Sequence, residues 1–264
     1  MRSKPRLIVS AVVCLLVAVA ISACGRGGDA TTAGDDLSGG AGGGASSSLP
    51  QGSEPVHLNP ADFTTRIDNR YWPMSPGSRW VYRETDAAGA RQRIVVTVTD
   101  RTKTIANGIE ARVIHDLATE NGEYVENTYD WYAQDADGNI WYLGEDTTEY
   151  RNGKPDSTAG SWEAGVDGAQ AGVALPADPR VGTHYRQEYL KGEAEDEGKV
   201  LSVSERAEVP FGRFSQVLLT RDTTPLEPNL VEHKFYAKKV GPVLATTISG
   251  GSDREELLSY RAGG

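Results

Sequence analysis

Tyr129-Asp130-Trp131-Tyr132-Ala133-Gln134-Asp135-Ala136-Asp137-Gly138-Asn139-Ile140-Trp141-Tyr142-Leu143-Gly144 reads as a β-hairpin. Two aromatic-rich arms, Tyr129 to Ala133 and Asn139 to Leu143, flank Asp135-Ala136-Asp137-Gly138, whose Asp-Gly step suits the positive φ of a tight turn. Arms this apolar are poorly served by an isolated ribbon, which is at best marginally stable in water. The hairpin therefore predicts a larger sheet that covers it.

Working outward, Arg91 to Thr104 places Ile94, Val96 and Val98 at period two opposite Arg93, Thr97 and Thr99, the pattern of a half-buried strand. Asn107-Gly108 and Asn121-Gly122 are turns, with strands between and after them at Ile109 to Leu117 and Tyr124 to Tyr132. Further strands are predicted at Trp80 to Tyr82, His184 to Leu190, Val200 to Val209, Phe214 to Asp222, Val231 to Lys238, Val243 to Ser249 and Glu256 to Tyr260. The expected class is all-β: a single antiparallel barrel or strongly curved half-barrel sheet of about eleven strands. The one expected helix is a short one near Asn59 to Ile67, where Asn59-Pro60 supplies a cap and a first turn.

Upstream of this domain the chain changes character. Arg2, Lys4 and Arg6 precede an apolar run from Leu7 to Ile21 that ends Ile21-Ser22-Ala23-Cys24, the arrangement of an export signal. The four-residue ending resembles the lipobox of bacterial lipoproteins, which implies cleavage before Cys24, a lipid on Cys24 and attachment to the membrane on its extracytoplasmic face. An uncleaved anchor helix is the alternative, since roughly 17 apolar residues is the lower limit for a span. Gly25 to Leu58 is built from Gly, Ala, Ser, Thr and Asp with almost nothing to bury. It reads as a disordered tether with a reach of roughly 30 Å. The expected organisation is a signal peptide over 1–23, a lipid-anchored tether over 24–58 and one domain over 59–264.

Cysteine count and charge narrow the chemistry. Cys14 lies in the signal run, so Cys24 is the one thiol of the processed chain, which leaves no internal disulfide and no thiolate zinc site. The net charge is −10, and loss of Arg2, Lys4 and Arg6 leaves 24 basic against 37 acidic residues, or −13. An acidic surface opposes binding to nucleic acid and to anionic lipid heads. The expected partners are the membrane, through Cys24, and a small apolar or amphipathic ligand; a monomer with no cofactor is expected.

The segment Tyr71-Trp72-Pro73-Met74-Ser75-Pro76-Gly77-Ser78-Arg79-Trp80-Val81-Tyr82 carries a Tyr-x-Pro-x-x-Pro-Gly-x-x-Trp-x-Tyr pattern. With Asp130-Trp131-Tyr132-Ala133-Gln134-Asp135, Gly160-Ser161-Trp162-Glu163-Ala164-Gly165, Leu226-Glu227-Pro228 and Glu232-His233-Lys234, it resembles a family of uncharacterised exported bacterial proteins. The resemblance implies a β-rich envelope protein, similar in shape to the curved half-barrels of lipoprotein carriers, and brings no activity.

Pro155 to Thr183 reads as a long irregular loop, either a lid over the open end of the sheet with Trp162 as an apolar contact, or a plug filled by Trp162, Val173 and Leu175. The candidate ligand contacts are Trp131, Trp141, Trp162, His184, Glu188, Glu232 and His233. Asp135, Asp137, Asn139 and Asp146 imitate a calcium loop poorly, because Ile140 stands where the loop needs Gly. His184 and Glu188, at i and i+4 on a strand, are roughly 13 Å apart and do not share a metal with His233. Glu227, Glu232, His233 and Lys234 are expected to form an internal ion-pair network with Arg186, whereas Glu193 to Glu197 reads as a solvated turn. The favoured function is a non-enzymatic, lipid-anchored binding module; the alternative, a carboxylate-dependent hydrolase of an envelope substrate, needs two of Glu163, Asp167, Glu188, Glu227 and Glu232 in one open cleft.

Overall fold

The computed structural model describes residues 49–264. The signal peptide, Cys24 and the tether up to residue 48 lie outside the described residues. In chain order the strands are β1 (Phe63–Thr64), β2 (Arg79–Thr85), β3 (Arg91–Thr104), β4 (Glu110–Glu120), β5 (Glu123–Asp135), β6 (Ile140–Arg151), β7 (Lys154–Ser157), β8 (Trp162–Glu163), β9 (Gln170–Leu175), β10 (His184–Arg186), β11 (Glu188–Tyr189), β12 (Glu197–Val209), β13 (Gly212–Thr223), β14 (Val231–Ala237), β15 (Gly241–Ser249) and β16 (Arg254–Arg261). β2 to β6 and β12 to β16 are two antiparallel meanders, and β16 pairs with β2 to join them. The far edges end in β9–β11 and in β10. Because β10 and β11 are separated by Gln187 alone, one kinked stretch serves both edges and the sheet is a nearly closed barrel.

The opening hairpin forms as its sequence directs. Gln134 pairs with Ile140, Ala133 with Trp141 and Tyr132 with Tyr142. Gly138 takes φ 93° and Asp135 closes the turn, accepting from the Asn139 amide at 2.8 Å, the Asn139 side chain at 2.8 Å and the Trp141 indole at 2.7 Å. The Tyr71 to Met74 segment seals one end of the barrel. Trp72 lies between Tyr132 of β5 and Tyr236 of β14, at ring-centroid distances of 5.7 and 5.9 Å. Burying an indole of this kind removes roughly 200 Å² from water, worth about 5 kcal/mol before the entropic cost.

Three expectations are revised. The Pro155 to Thr183 stretch is not one long loop: β7, β8 and β9 within it all add to the free edge of β6, and turns and the 176–183 segment make up the rest. β9 carries Gly172 because a Cβ there would stand 2.3 Å from the Gln187 carbonyl carbon. The helix near Asn59 is a single 3-10 turn, Pro60–Asp62, since Phe63 is extended and pairs with Asp135 at the end of β5. The tether ends earlier than Leu58, because Leu49, Val56 and Leu58 pack on the core.

Arg186 explains that early start. It is 1% exposed, and its guanidinium donates to the carbonyls of Gly52 (2.8 Å), Glu54 (2.7 Å) and Ala171 (2.7 Å), while its amide donates to Pro50 (2.7 Å). Arg186 thus clamps the entering chain and takes no part in the ion pairs expected around Glu232. A chain begun at Pro55 loses three of these acceptors and is expected to be about 2–3 kcal/mol less stable than one begun before Leu49, measured by urea unfolding.

Candidate functional site

Alternation puts one face of each strand inward and the other outward, and the two faces hold different chemistry. Inward lie the carboxyls of Glu84, Asp116, Glu126, Asp130, Glu145, Glu188, Asp222, Glu232 and Glu255. Glu255 of β16 senses Asp116 of β4 and Glu232 of β14, strands that are not its neighbours, as groups sharing an interior must. Lys234 is set among them, 3.0 Å from Asp222, which also accepts from Thr220 at 2.8 Å and Gln187 at 3.3 Å. Burial drives Glu126 up to about 7, and it does the same for Asp130, opposed by a hydrogen bond from Tyr142. It also lifts Asp116, with Asp130 and Glu126 adding to the rise, and Glu145, with Asp130 and Glu188 adding.

The outward face holds a cleft of about 750 Å³. Val113 of β4 and Tyr129 and Trp131 of β5 form its floor; Arg101, Thr102 and Lys103 of β3 form one wall; Asp146, Ser161, Trp162 and Glu163 form the other, where Glu145 also lines the cleft although its carboxyl is buried inward beside Asp130 and Tyr142. β8 can approach because residue 144 is glycine. A Cβ on Gly144 would stand 2.3 Å from the Trp162 carbonyl oxygen and 3.0 Å from the Trp131 ring, and its φ of 132° disfavours a side chain as well. Lys103 holds the two walls together: its Nζ lies 3.9 Å from the centroid of the Trp131 ring and 2.6 Å from Glu163, whose other oxygen accepts from the Ala106 amide at 2.7 Å.

Tyr129 is braced by His115, with ring centroids 4.7 Å apart and planes 13° from parallel, and Arg101 stands 5.4 Å from its ring centroid. Cation–π contacts of this kind hold a cation over a ring without a carboxylate partner. Among the described residues Arg101 and Asp146 have no ionic partner, and both are exposed at the mouth. The cleft's volume falls in the range of about 300–1,000 Å³ usual for small-molecule sites.

Of the residues picked out from sequence, Trp131 and Trp162 both line this cleft, Trp162 with its ring packed edge-on against interior Tyr142 at 5.2 Å. Trp141 is tied to Asp135 and packs edge-on against Phe63. His184 is exposed between Gln51 and Glu197, at 2.6 and 3.2 Å. Glu188 and Glu232 are inside the barrel, and His233 is on the opposite face of β14 from Glu232. The hydrolase carboxylates scatter likewise: Glu163 is in the cleft and spent on Lys103 and Ala106, Asp167 is in the β8–β9 turn, and Glu227 is in the β13–β14 turn. No group of three His, Cys, Asp or Glu among the described residues is arranged to hold a metal ion.

Fold and site together define an antiparallel β-barrel with a sealed end, an acidic interior and an aromatic cleft in its outer wall. No family model matches the chain, and no curated protein matches it. A solved structure, described as that of a candidate lipoprotein from Parabacteroides distasonis, aligns with 72% of this chain and 98% of its own at 12% identity and a TM-score of 0.40. Among the described residues no helix is long and apolar enough to cross a membrane.

Proposed function

We propose that the protein is a lipid-anchored envelope module that binds an amphipathic ligand in the cleft between β5 and β8. The observation that carries the reading is the cleft of about 750 Å³ itself, floored by Val113, Tyr129 and Trp131 under a mouth where Arg101 and Asp146 keep free hydrogen-bonding capacity. The lipobox-like ending at Cys24 and the glycine-rich tether support the anchor. The barrel interior is a poor rival site, since its end is sealed by Trp72 and its lining is carboxylic.

The test is native mass spectrometry on the exported protein extracted from membranes. The expected spectrum has a covalent lipid mass on Cys24, absent from Cys24→Ser, and a second, noncovalent adduct removed by organic solvent. Trp131→Ala is expected to lower adduct occupancy at least tenfold, as loss of a central aromatic contact does. An adduct unchanged in Trp131→Ala would move the ligand out of this cleft.

A further inference from the structure

The outer wall carries a basic stripe that the net charge hides. Among the described residues ten carboxylates are buried against two cations, Arg186 and Lys234, so the chain's charge of −10 says little of its surface. Alternation sorts the charges. Glu84, Asp222, Glu232 and Glu255 are buried, while their chain neighbours Arg83, Arg221, His233 and Arg254 face outward. Strand register then lines the outward groups up. Lys199 of β12 pairs with Arg221 of β13, and Arg221 with His233 of β14. Thr246 of β15 carries the row to Arg254 of β16, which pairs with Thr85 of β2, and Thr85 pairs with Arg91 of β3. Seven neighbouring strands thus share one row without a carboxylate. The next row adds Arg83 and Arg93, paired with each other, and one carboxylate, Glu256, held by Arg83 at 2.8 Å and Arg254 at 3.0 Å. Lys199, Arg221, Arg91 and Arg93 have no ionic partner among the described residues, and all four are exposed. Burial and then Arg221 push the His233 imidazole down, so the charge of the stripe is that of its Lys and Arg side chains.

We infer that this stripe docks a flexible linear polyanion with phosphate in its backbone. The surface is separate from the cleft between β5 and β8. At about 4.8 Å per strand the row runs about 29 Å round the wall, over seven of the thirteen strands that follow one another in the sheet. A flat bilayer meets only the few strands nearest it on such a convex wall. A nucleic acid duplex is stiff over about 50 nm and cannot follow the bend, and a single strand finds no Trp, Tyr or Phe in the row on which to stack its bases. A flexible chain can follow the row from β12 to β3. Phosphate suits it better than carboxylate. One guanidinium fork occupies both oxygens of a carboxylate, whereas the tetrahedral oxygens of a phosphate accept from several directions and can bridge two arginines that face each other, as Arg83 and Arg93 do.

The experiment is calorimetric titration of the full protein, in non-ionic detergent, with long-chain inorganic polyphosphate and in parallel with polygalacturonate. Polyphosphate is expected to bind, with an affinity that falls at least tenfold between about 50 and 200 mM salt. Lys199→Gln, Arg221→Gln and Arg91→Gln together are expected to weaken it more than tenfold with an unchanged melting temperature. Arg66→Gln, Lys154→Gln and Arg213→Gln remove the same charge at exposed positions outside the row, and are expected to change it less than twofold. Equal losses in the two triple variants would overturn the stripe as the site. Polygalacturonate binding as tightly as polyphosphate would overturn the choice of phosphate. Inert polyphosphate would overturn the inference outright; if the Cys24→Ser chain then sediments with phosphatidylglycerol vesicles and not with phosphatidylcholine ones, the stripe is a membrane-facing surface instead.

Discussion

Replacing Lys234 by methionine is expected to cost about 3–5 kcal/mol of folding stability, the usual penalty for stripping one partner from a buried ion pair. Lys234 is 5% exposed and Asp222 is 6% exposed, so water cannot take over the lost contact. Burial alone would pull the Lys234 ammonium down. Asp222 and Glu232, with a further contribution from Tyr236, outweigh that and hold it well above the ordinary lysine range. The cation is therefore anchored by the carboxylates, and they by it. Methionine keeps the volume and removes the charge, leaving Asp222 with Thr220 and Gln187 as neutral donors. Lys234→Met combined with Asp222→Asn should recover most of the loss, because a buried pair replaced at both ends is often nearly neutral. Urea unfolding of the four proteins of the cycle measures this. A cost below about 1 kcal/mol for the single change would mean that the pair behaves as a surface one.

The same strand shows how far the interior was legible. In Val231-Glu232-His233-Lys234-Phe235-Tyr236 the internal ion pair expected of Glu232 and Lys234 does form, with Asp222 in the place expected for Arg186 and with His233 on the other face. Hydrophobicity alone, however, would put Val231 and Phe235 on the core side, whereas Glu232, Lys234 and Tyr236 are the buried set. β5 repeats the inversion: Thr128, Asp130 and Tyr132 are inside, while Tyr129 and Trp131 form the outer cleft. Period two predicts two faces and does not say which is the core when both carry aromatics. The architecture was legible, because every predicted strand position has a strand and the turns at Gly108, Gly122 and Gly138 have positive φ.

What escaped was the closing wall. Gln170-Ala-Gly-Val-Ala-Leu175 is short and small, and its Gly and Ala are there to let backbones meet, a demand visible only once Gln187 lies against Gly172. Trp131 and Trp162 stood out by residue type. Arg101 and Lys103 did not, because a register break between Val98 and Thr102 separates them from the regular strand, and no spacing rule reports where they lie.

Stability is expected to fall by on the order of 5 kcal/mol from pH 5 to pH 8, opposite to the acid sensitivity of most proteins. Unfolded carboxyls release their protons near pH 4. In the folded chain burial holds Glu126, Asp130 and Asp196 protonated up to about 7, and pushes Asp116, Glu145, Glu232 and Glu255 upward as well. Between these limits the native state binds more protons than the unfolded state, so each rise in pH favours unfolding. Lys234, held above its ordinary range, stays charged throughout this window and adds no slope. Glu256 works the other way: Arg83 and Arg254 outweigh its burial and lower it, which adds stability above its ordinary range that is lost as pH falls, but it is one group against the seven just named, with Glu149, Glu227 and Asp253 raised as well. The melting temperature should drop by roughly 10–20 °C over the interval; a flat or rising profile would mean that the interior carboxyls are ionised and otherwise compensated. Asp130→Asn separates the two. The asparagine oxygen can still accept the 2.9 Å bond from Tyr142 and cannot ionise. The variant should match the parent at pH 5 and exceed it by about 1–2 kcal/mol at pH 8, because one of the protons that the parent must give up there is no longer present to lose.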